Sequence, residues 1–173
     1  MSSTPTFTAG GIPDGARRRT QASTRLLHEW STMQPWDVPP MYELRLGPTP
    51  LSANAPTITP AVAAMLRVFN RYADMIGITP TEIQVIEAKV VADPGAISQL
   101  QHYIDLVHTT PLVAQYAPRS VVGVLLFAVN DPIVAQRAAA SGIRVIIFTP
   151  DWVQDYLNTK YFRRQRVIPA GTV

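Results

Sequence analysis

The sequence predicts an α/β protein: a mixed sheet with an antiparallel hairpin on one side and parallel strands on the other, flanked by helices. Residues 73–78 (ADMIGI) and 83–90 (IQVIEAKV) are short β-rich apolar runs around a turn. VVGVLLFAV (121–129) and IRVIIFT (143–149) are continuous apolar runs of the kind a parallel sheet buries on both faces. Between the runs lie segments with helical start signals and helical spacing. A chain of 173 residues has room for one domain with a real core and one or two tails, not for two full domains.

Residues 1 to about 20 are rich in Ser, Thr, Pro and Gly without periodicity and read as an arm or disordered tail. A short helix is expected over 21–31 (QASTRLLHEWS), then the Pro-bearing MQPWDVPP, a strand at 41–46 (MYELRL) and a long polar loop, GPTPLSANAPTIT. Thr59 as N-cap, Pro60 at the first helical position and Val62, Met65, Leu66, Phe69 and Ala73 on one face predict a helix over 60–72. After the hairpin, Asp93-Pro94 starts a helix whose stripe is Ile97, Leu100, Ile104 and Val107. Asp131-Pro132 caps another, ending near Gly142. Strand, helix and strand in that order imply a right-handed parallel crossover. Pro150 and Asp151 open a last short helix with Trp152, Tyr156 and Leu157. The division expected is a largely extended or disordered N-terminal arm over 1–40, the α/β domain over 41–160 and a basic tail over 161–173.

Net charge is +3, with 15 Lys and Arg against 12 Asp and Glu, and the excess sits at the ends: Arg17, Arg18 and Arg19, then Arg163, Arg164 and Arg166. Such clusters either bind nucleic-acid phosphates or are solvated ends. The absence of cysteine excludes disulfides and thiolate chemistry and fits a reducing compartment. The opening residues lack the apolar stretch of a signal peptide, and no apolar run is long enough to span a bilayer. A soluble intracellular protein is expected.

The hairpin carries the chemistry. With Thr79 to Glu82 as the loop, Ile78 faces Ile83 and Asp74 falls opposite Glu87, where like charges repel. Side chains alternate, so Glu87 and Lys89 share a face while Ile86, Ala88 and Val90 take the other. Asp74, Glu87 and Lys89 then form one polar patch, in which a hard divalent cation would relieve the carboxylate repulsion.

Asp74, then Glu87-Ala88-Lys89 on a buried strand, then a helix bearing Gln99 and Tyr103, resembles the PD-(D/E)XK nuclease superfamily over roughly residues 60–150. The Gln-x-x-x-Tyr element looks like the helix after the catalytic strand in its RecB-like branch. The combination of ADMIGITPTEIQVIEAKV, ADPGAISQLQHY and GIRVIIFTPDWV is similar to small nuclease-fold proteins of tailed bacteriophages. The resemblance implies a restriction-endonuclease-like fold and hydrolysis of DNA phosphodiester bonds. It implies Asp74, Glu87 and the Ala88 carbonyl as ligands of Mg²⁺ or Mn²⁺, and Lys89 as the group that orients or polarises the attacking water. Gln99 and Tyr103, one turn apart on a face distinct from the apolar stripe, would sit over the site. The family core runs helix, three strands, helix, strand. The expected 60–72 helix leaves no room for a strand before Asp74, so either MYELRL supplies it from before that helix or the helix is an insertion. An extra acidic ligand is not evident, Glu43 being the weak candidate.

Plainer readings stand beside these. Glu87 and Lys89 could be an exposed ion pair worth little, and Gln99 and Tyr103 plain helix surface. His28, His102 and His108 have no zinc spacing and suit surface or packing roles, and Trp30, Trp36 and Trp152 suit core or interface. A virion or assembly protein that keeps the fold as a scaffold is the alternative function. Its Pro-rich segment over 1–58 would order by wrapping a neighbouring protein or another copy, and its place would be the virion rather than the host cytoplasm. A non-catalytic DNA-binding module using the terminal arginines is a third.

Overall fold

The computed structural model describes residues 14–48 and 71–162, with side chains over 21–48 and 71–160. Five strands form one sheet in chain order: β1 (Met41–Leu46), β2 (Arg71–Ile78), β3 (Glu82–Val91), β4 (Ser120–Val129) and β5 (Arg144–Ile147). The first three pair antiparallel, and β3, β4 and β5 run parallel. The mixed sheet expected from the sequence is thus present, with MYELRL as its edge strand β1.

The helices are α1 (Asp14–Ser31), α2 (Gly95–Val107), α3 (Pro111–Ala114), α4 (Pro132–Ala140) and α5 (Trp152–Phe162). On one face of the sheet Ile76, Ile78, Ile83, Val85 and Phe127 pack with Leu100 and Val107 of α2. On the other, Met75, Ile86, Ala88 and Leu126 pack with Leu26, Leu27 and Trp30 of α1 and Val153 of α5. β3 is covered on both faces, which is why its sequence reads as nearly continuous apolar residues. Close approach is built in at two glycines. A Cβ on Gly77 would lie 2.3 Å from the Trp36 ring, and one on Gly123 would lie 2.7 Å from Ile104 Cδ1 of α2.

Local signals account for the helix starts. Asp131 Oδ1 accepts from the backbone N–H groups of Ile133 (2.8 Å) and Val134 (3.4 Å), capping α4 ahead of Pro132 at its first turn. Asp93 Oδ1 accepts from Gly95 N–H at 2.9 Å at the start of α2. Ser31 ends α1, where Thr32 N–H still reaches His28 O.

Three expectations change. Most of the expected 60–72 helix lies outside the described residues, but its last two, Arg71 and Tyr72, already belong to β2, paired with Leu46 and Arg45. The helix expected from 21 begins at Asp14, and its residues Leu26, Leu27 and Trp30 are core, so the packed domain starts before residue 41. The last strand is a short edge rather than a buried one, with Ile147 46% exposed. The stretch after α2 contains the one-turn α3, begun by Pro111.

Candidate metal-binding active site

The β2–β3 turn closes through Thr79, whose N–H donates to Glu82 O (2.9 Å) while its Oγ1 accepts from Glu82 N–H (3.0 Å). This sets the register Ile78–Ile83, Ile76–Val85 and Met75–Ile86. One step further Asp74 and Glu87 come level, as the sequence predicts. The backbone ladder stops at Met75–Ile86, and beyond it Ala88 N–H donates to Asp74 Oδ2 at 2.9 Å. A strand residue turns its N–H and C=O to the same side, so the Ala88 carbonyl also faces the strand that carries Asp74.

On β1, Tyr42 pairs with Met75 and Leu44 with Ala73. Between them Glu43 sits level with Asp74 at φ 47°, a left-handed conformation that costs a non-glycine residue on the order of 1 kcal/mol. The kink turns Glu43 toward the same cavity as Asp74 and Glu87.

That cavity, about 730 Å³, opens at the carboxyl end of β3 between α1 and the start of α2. Glu87 lines it, 1% exposed, with one oxygen 2.5 Å from Lys89 Nζ; its other oxygen, Oε2, is buried with no hydrogen-bond partner among the described residues. Gln99 reaches into the cavity, and its Nε2 donates to Tyr103 Oη at 2.8 Å. Tyr103 is 6% exposed and packs in the core with Leu100 and Val107, on the apolar stripe rather than on a separate face. The expected position for Tyr103 is therefore corrected: the buried face of α2 is broad enough to include it, and it meets the cavity through Gln99.

Electrostatics follow from this crowding. Burial raises the pKa of Asp74, opposed by the Ala88 N–H and by Lys89. Burial first, then the Asp74 charge, push Glu87 up to about 7 against the pull of Lys89 and Gln99. Burial works against the Lys89 ammonium, but Glu87, and behind it Asp74, hold its pKa above the usual lysine range. Two carboxyl groups crowded beside one ammonium account for the directions of these shifts.

Among the described residues no three His, Cys, Asp or Glu side chains converge as a ready metal cluster. The oxygen donors at hand are Asp74, Glu87 and the Ala88 carbonyl. Magnesium suits such a set, since it takes one or two carboxylates, retains several waters and adds substrate phosphate oxygens. The unpartnered Glu87 Oε2 is the donor the fold leaves unused, and so the residues fit the ion.

Sequence reasoning placed Asp74, Glu87, Ala88, Lys89 and Gln99, and all line the cavity. It missed the α1 wall, including Thr24 and His28, and it missed Tyr42 and Asp93. The spacing of Thr24 and His28, one turn apart and off the apolar positions Ala22, Leu26 and Trp30, is the available signal for a second, polar face of α1. Comparisons with protein-family models, with curated proteins and with solved structures each find no match.

Proposed function

We propose that this protein is a metal-dependent nuclease that hydrolyses DNA phosphodiester bonds at the Asp74, Glu87 and Lys89 site. The observation that carries the proposal is Glu87 Oε2, a buried carboxylate oxygen with no hydrogen-bond partner among the described residues, level with a second carboxylate and beside a lysine in an open cavity. An unsatisfied buried charge is costly unless something completes it. Apart from the one-turn α3 between α2 and β4, the element order α1, β1, β2, β3, α2, β4 supports the same reading, since it follows the helix, three strands, helix and strand that the nuclease resemblance implies.

Asp74, Glu87 and the Ala88 carbonyl would hold Mg²⁺ or Mn²⁺, which when bound supplies Lewis-acid stabilisation of phosphate charge and a more acidic water. The ammonium of Lys89 orients that water and meets the negative charge that grows on the phosphate. Glu87 fixes the ammonium through its Oε1, and Asp74 ties β3 to β2 past their last ladder pair through the Ala88 N–H.

The test is plasmid cleavage by the purified chain with Mg²⁺ or Mn²⁺, beside Asp74→Ala and Lys89→Ala. Metal-dependent cutting lost in both variants is expected.

The scaffold reading, a virion or assembly component of the same fold, has one observation in its favour. Among the described residues lining the cavity, Lys89 is the one lysine or arginine, a thin cationic lining for a polyanion. No metal uptake, together with a ring or tight oligomer in solution, is its signature. The terminal arginines that would serve a non-catalytic DNA-binding module lie outside the described side chains.

A further inference from the structure

His28 of α1 and Tyr42 of β1 stack at the cavity wall, with ring centroids 4.2 Å apart and planes 23° from parallel. The Tyr42 hydroxyl is hydrogen-bonded to Ser31 Oγ, and Ser31 is buried at the end of α1, so the tyrosine ring is held from both the helix and the strand. His28 is exposed and belongs to neither core cluster. Apart from its stack on Tyr42, no core packing holds the imidazole, and His28 lines the same cavity as Asp74 and Glu87. The charges of the lining are also unusual for a site that takes DNA. Among the described residues, the carboxylates of Glu43, Asp74, Glu87 and Asp93 line the cavity with one ammonium, that of Lys89. Phosphate attraction contributes little with such a lining, and affinity must come from elsewhere.

We infer that His28 and Tyr42 form a stacking wall for an unpaired nucleobase next to the scissile phosphate, so that the site takes single-stranded or frayed DNA rather than duplex interior. This rests on the nuclease reading above. Inside a duplex both faces of a base are covered by its neighbours, and a side chain can take one face only after the base has left the stack. Aromatic stacking tolerates any base and supplies the affinity that an acidic lining withholds. A single strand also brings fewer phosphates to that lining than a duplex does.

The test uses the full chain with Ca²⁺ in place of Mg²⁺ at fixed salt, and reads the anisotropy of fluorescein-labelled oligo-dT, alone or paired with oligo-dA. Single strand is expected to bind at least tenfold tighter than duplex, and His28→Ala to weaken single-strand binding roughly tenfold, the order that one base–aromatic stack contributes. His28→Phe restores binding, because it keeps a ring. One abasic nucleotide in the strand produces a similar loss in the native protein and no further loss in His28→Ala. Since His28 is exposed, its variants keep the native melting temperature.

Equal affinity for single strand and duplex, or single-strand binding untouched by His28→Ala, overturns the stacking wall. If plasmid cutting is still lost in Asp74→Ala, the nuclease stands without the wall. A His28-dependent strand preference with no metal-dependent cutting keeps the wall and removes the nuclease.

Discussion

Asp74 Oδ2 accepts the backbone N–H of Ala88 at 2.9 Å, just past the last β2–β3 ladder pair. A side chain there takes over the work of a backbone acceptor, and in doing so it is drawn level with Glu87. One residue thus ends the hairpin ladder and assembles the candidate site.

This double role can be separated. Asparagine keeps an oxygen that accepts from Ala88 but loses the charge, whereas alanine loses both. Asp74→Asn is expected to retain or slightly raise stability in EDTA, and Asp74→Ala to lose about 1–2 kcal/mol in urea unfolding, the cost of a part-buried N–H left without its partner. Both variants lose plasmid cleavage by about a hundredfold or more, because the ion loses a charged ligand. If Asp74→Asn cuts normally, Asp74 is structural alone.

The pH dependence of stability reads Glu87 directly. Burial and the Asp74 charge raise its pKa from the ordinary 4.5 to about 7. Between those values the folded protein holds a proton that the unfolded chain has released. The contribution is fully present below 4.5 and is lost as pH rises through about 7. The metal-free protein should therefore lose on the order of 2–3 kcal/mol from this group across that window. Asp74, also raised, adds in the same direction. Glu87→Gln should flatten the curve and raise metal-free stability at neutral pH, while abolishing divalent-ion binding. Urea unfolding in EDTA across the window checks this, and a slope that survives Glu87→Gln would falsify it.

Much of this was legible beforehand because it is local. The Thr79–Glu82 turn fixes the register, and a period of two then places Glu87 and Lys89 on one face. Asp131 with Pro132 announces α4 in the same local way. What was hidden depends on distant contacts. Nothing in MYELRL reveals that Glu43 takes a positive φ, since that conformation has no signature outside glycine and a few polar residues. His28 enters the cavity because α1 crosses the face of β3, a packing decision made far from its own sequence neighbours. Tyr103 was misplaced because helical spacing alone does not say how wide a stripe the core covers.

Cation binding and Lys89 are expected to oppose each other. Lys89 Nζ occupies one oxygen of the carboxylate that would ligate the ion. Mn²⁺ at a hundred times its Kd should stabilise the native chain by about 2.7 kcal/mol, by mass action. That gain should vanish in Asp74→Ala and Glu87→Gln. In Lys89→Met the metal-free protein should weaken by about 1–3 kcal/mol, because buried Glu87 loses its counter-charge. The Mn²⁺-induced gain should persist or grow, while cleavage falls about 10²–10⁴-fold. Melting curves with and without Mn²⁺ separate these outcomes, and equal Mn²⁺ stabilisation of all four proteins would place the ion elsewhere.

Gly77 ties the hairpin to the cavity wall through Trp36. The indole lies against Gly77, so a Cβ there would meet three ring carbons at 2.3, 2.6 and 2.9 Å. The same indole donates from Nε1 to Ser31 O at 2.9 Å, and Ser31 Oγ anchors the Tyr42 hydroxyl. Gly77→Ala must displace a rigid ring held at its far end, and should cost about 2–3 kcal/mol, the upper part of the usual overpacking range. At Gly123 the nearest atoms are Ile104 Cδ1, at 2.7 Å, and Leu100 Cδ2 and Cγ, both at 3.2 Å, all on aliphatic side chains. These can rotate, and alanine also restricts the unfolded chain, so Gly123→Ala should cost about 1 kcal/mol or less. The two variants should also differ in fluorescence. Gly77→Ala should shift the tryptophan emission and loosen Tyr42, whereas Gly123→Ala should leave the emission native. Equal costs for the two, with unchanged emission in both, would mean that Trp36 does not sit on β2.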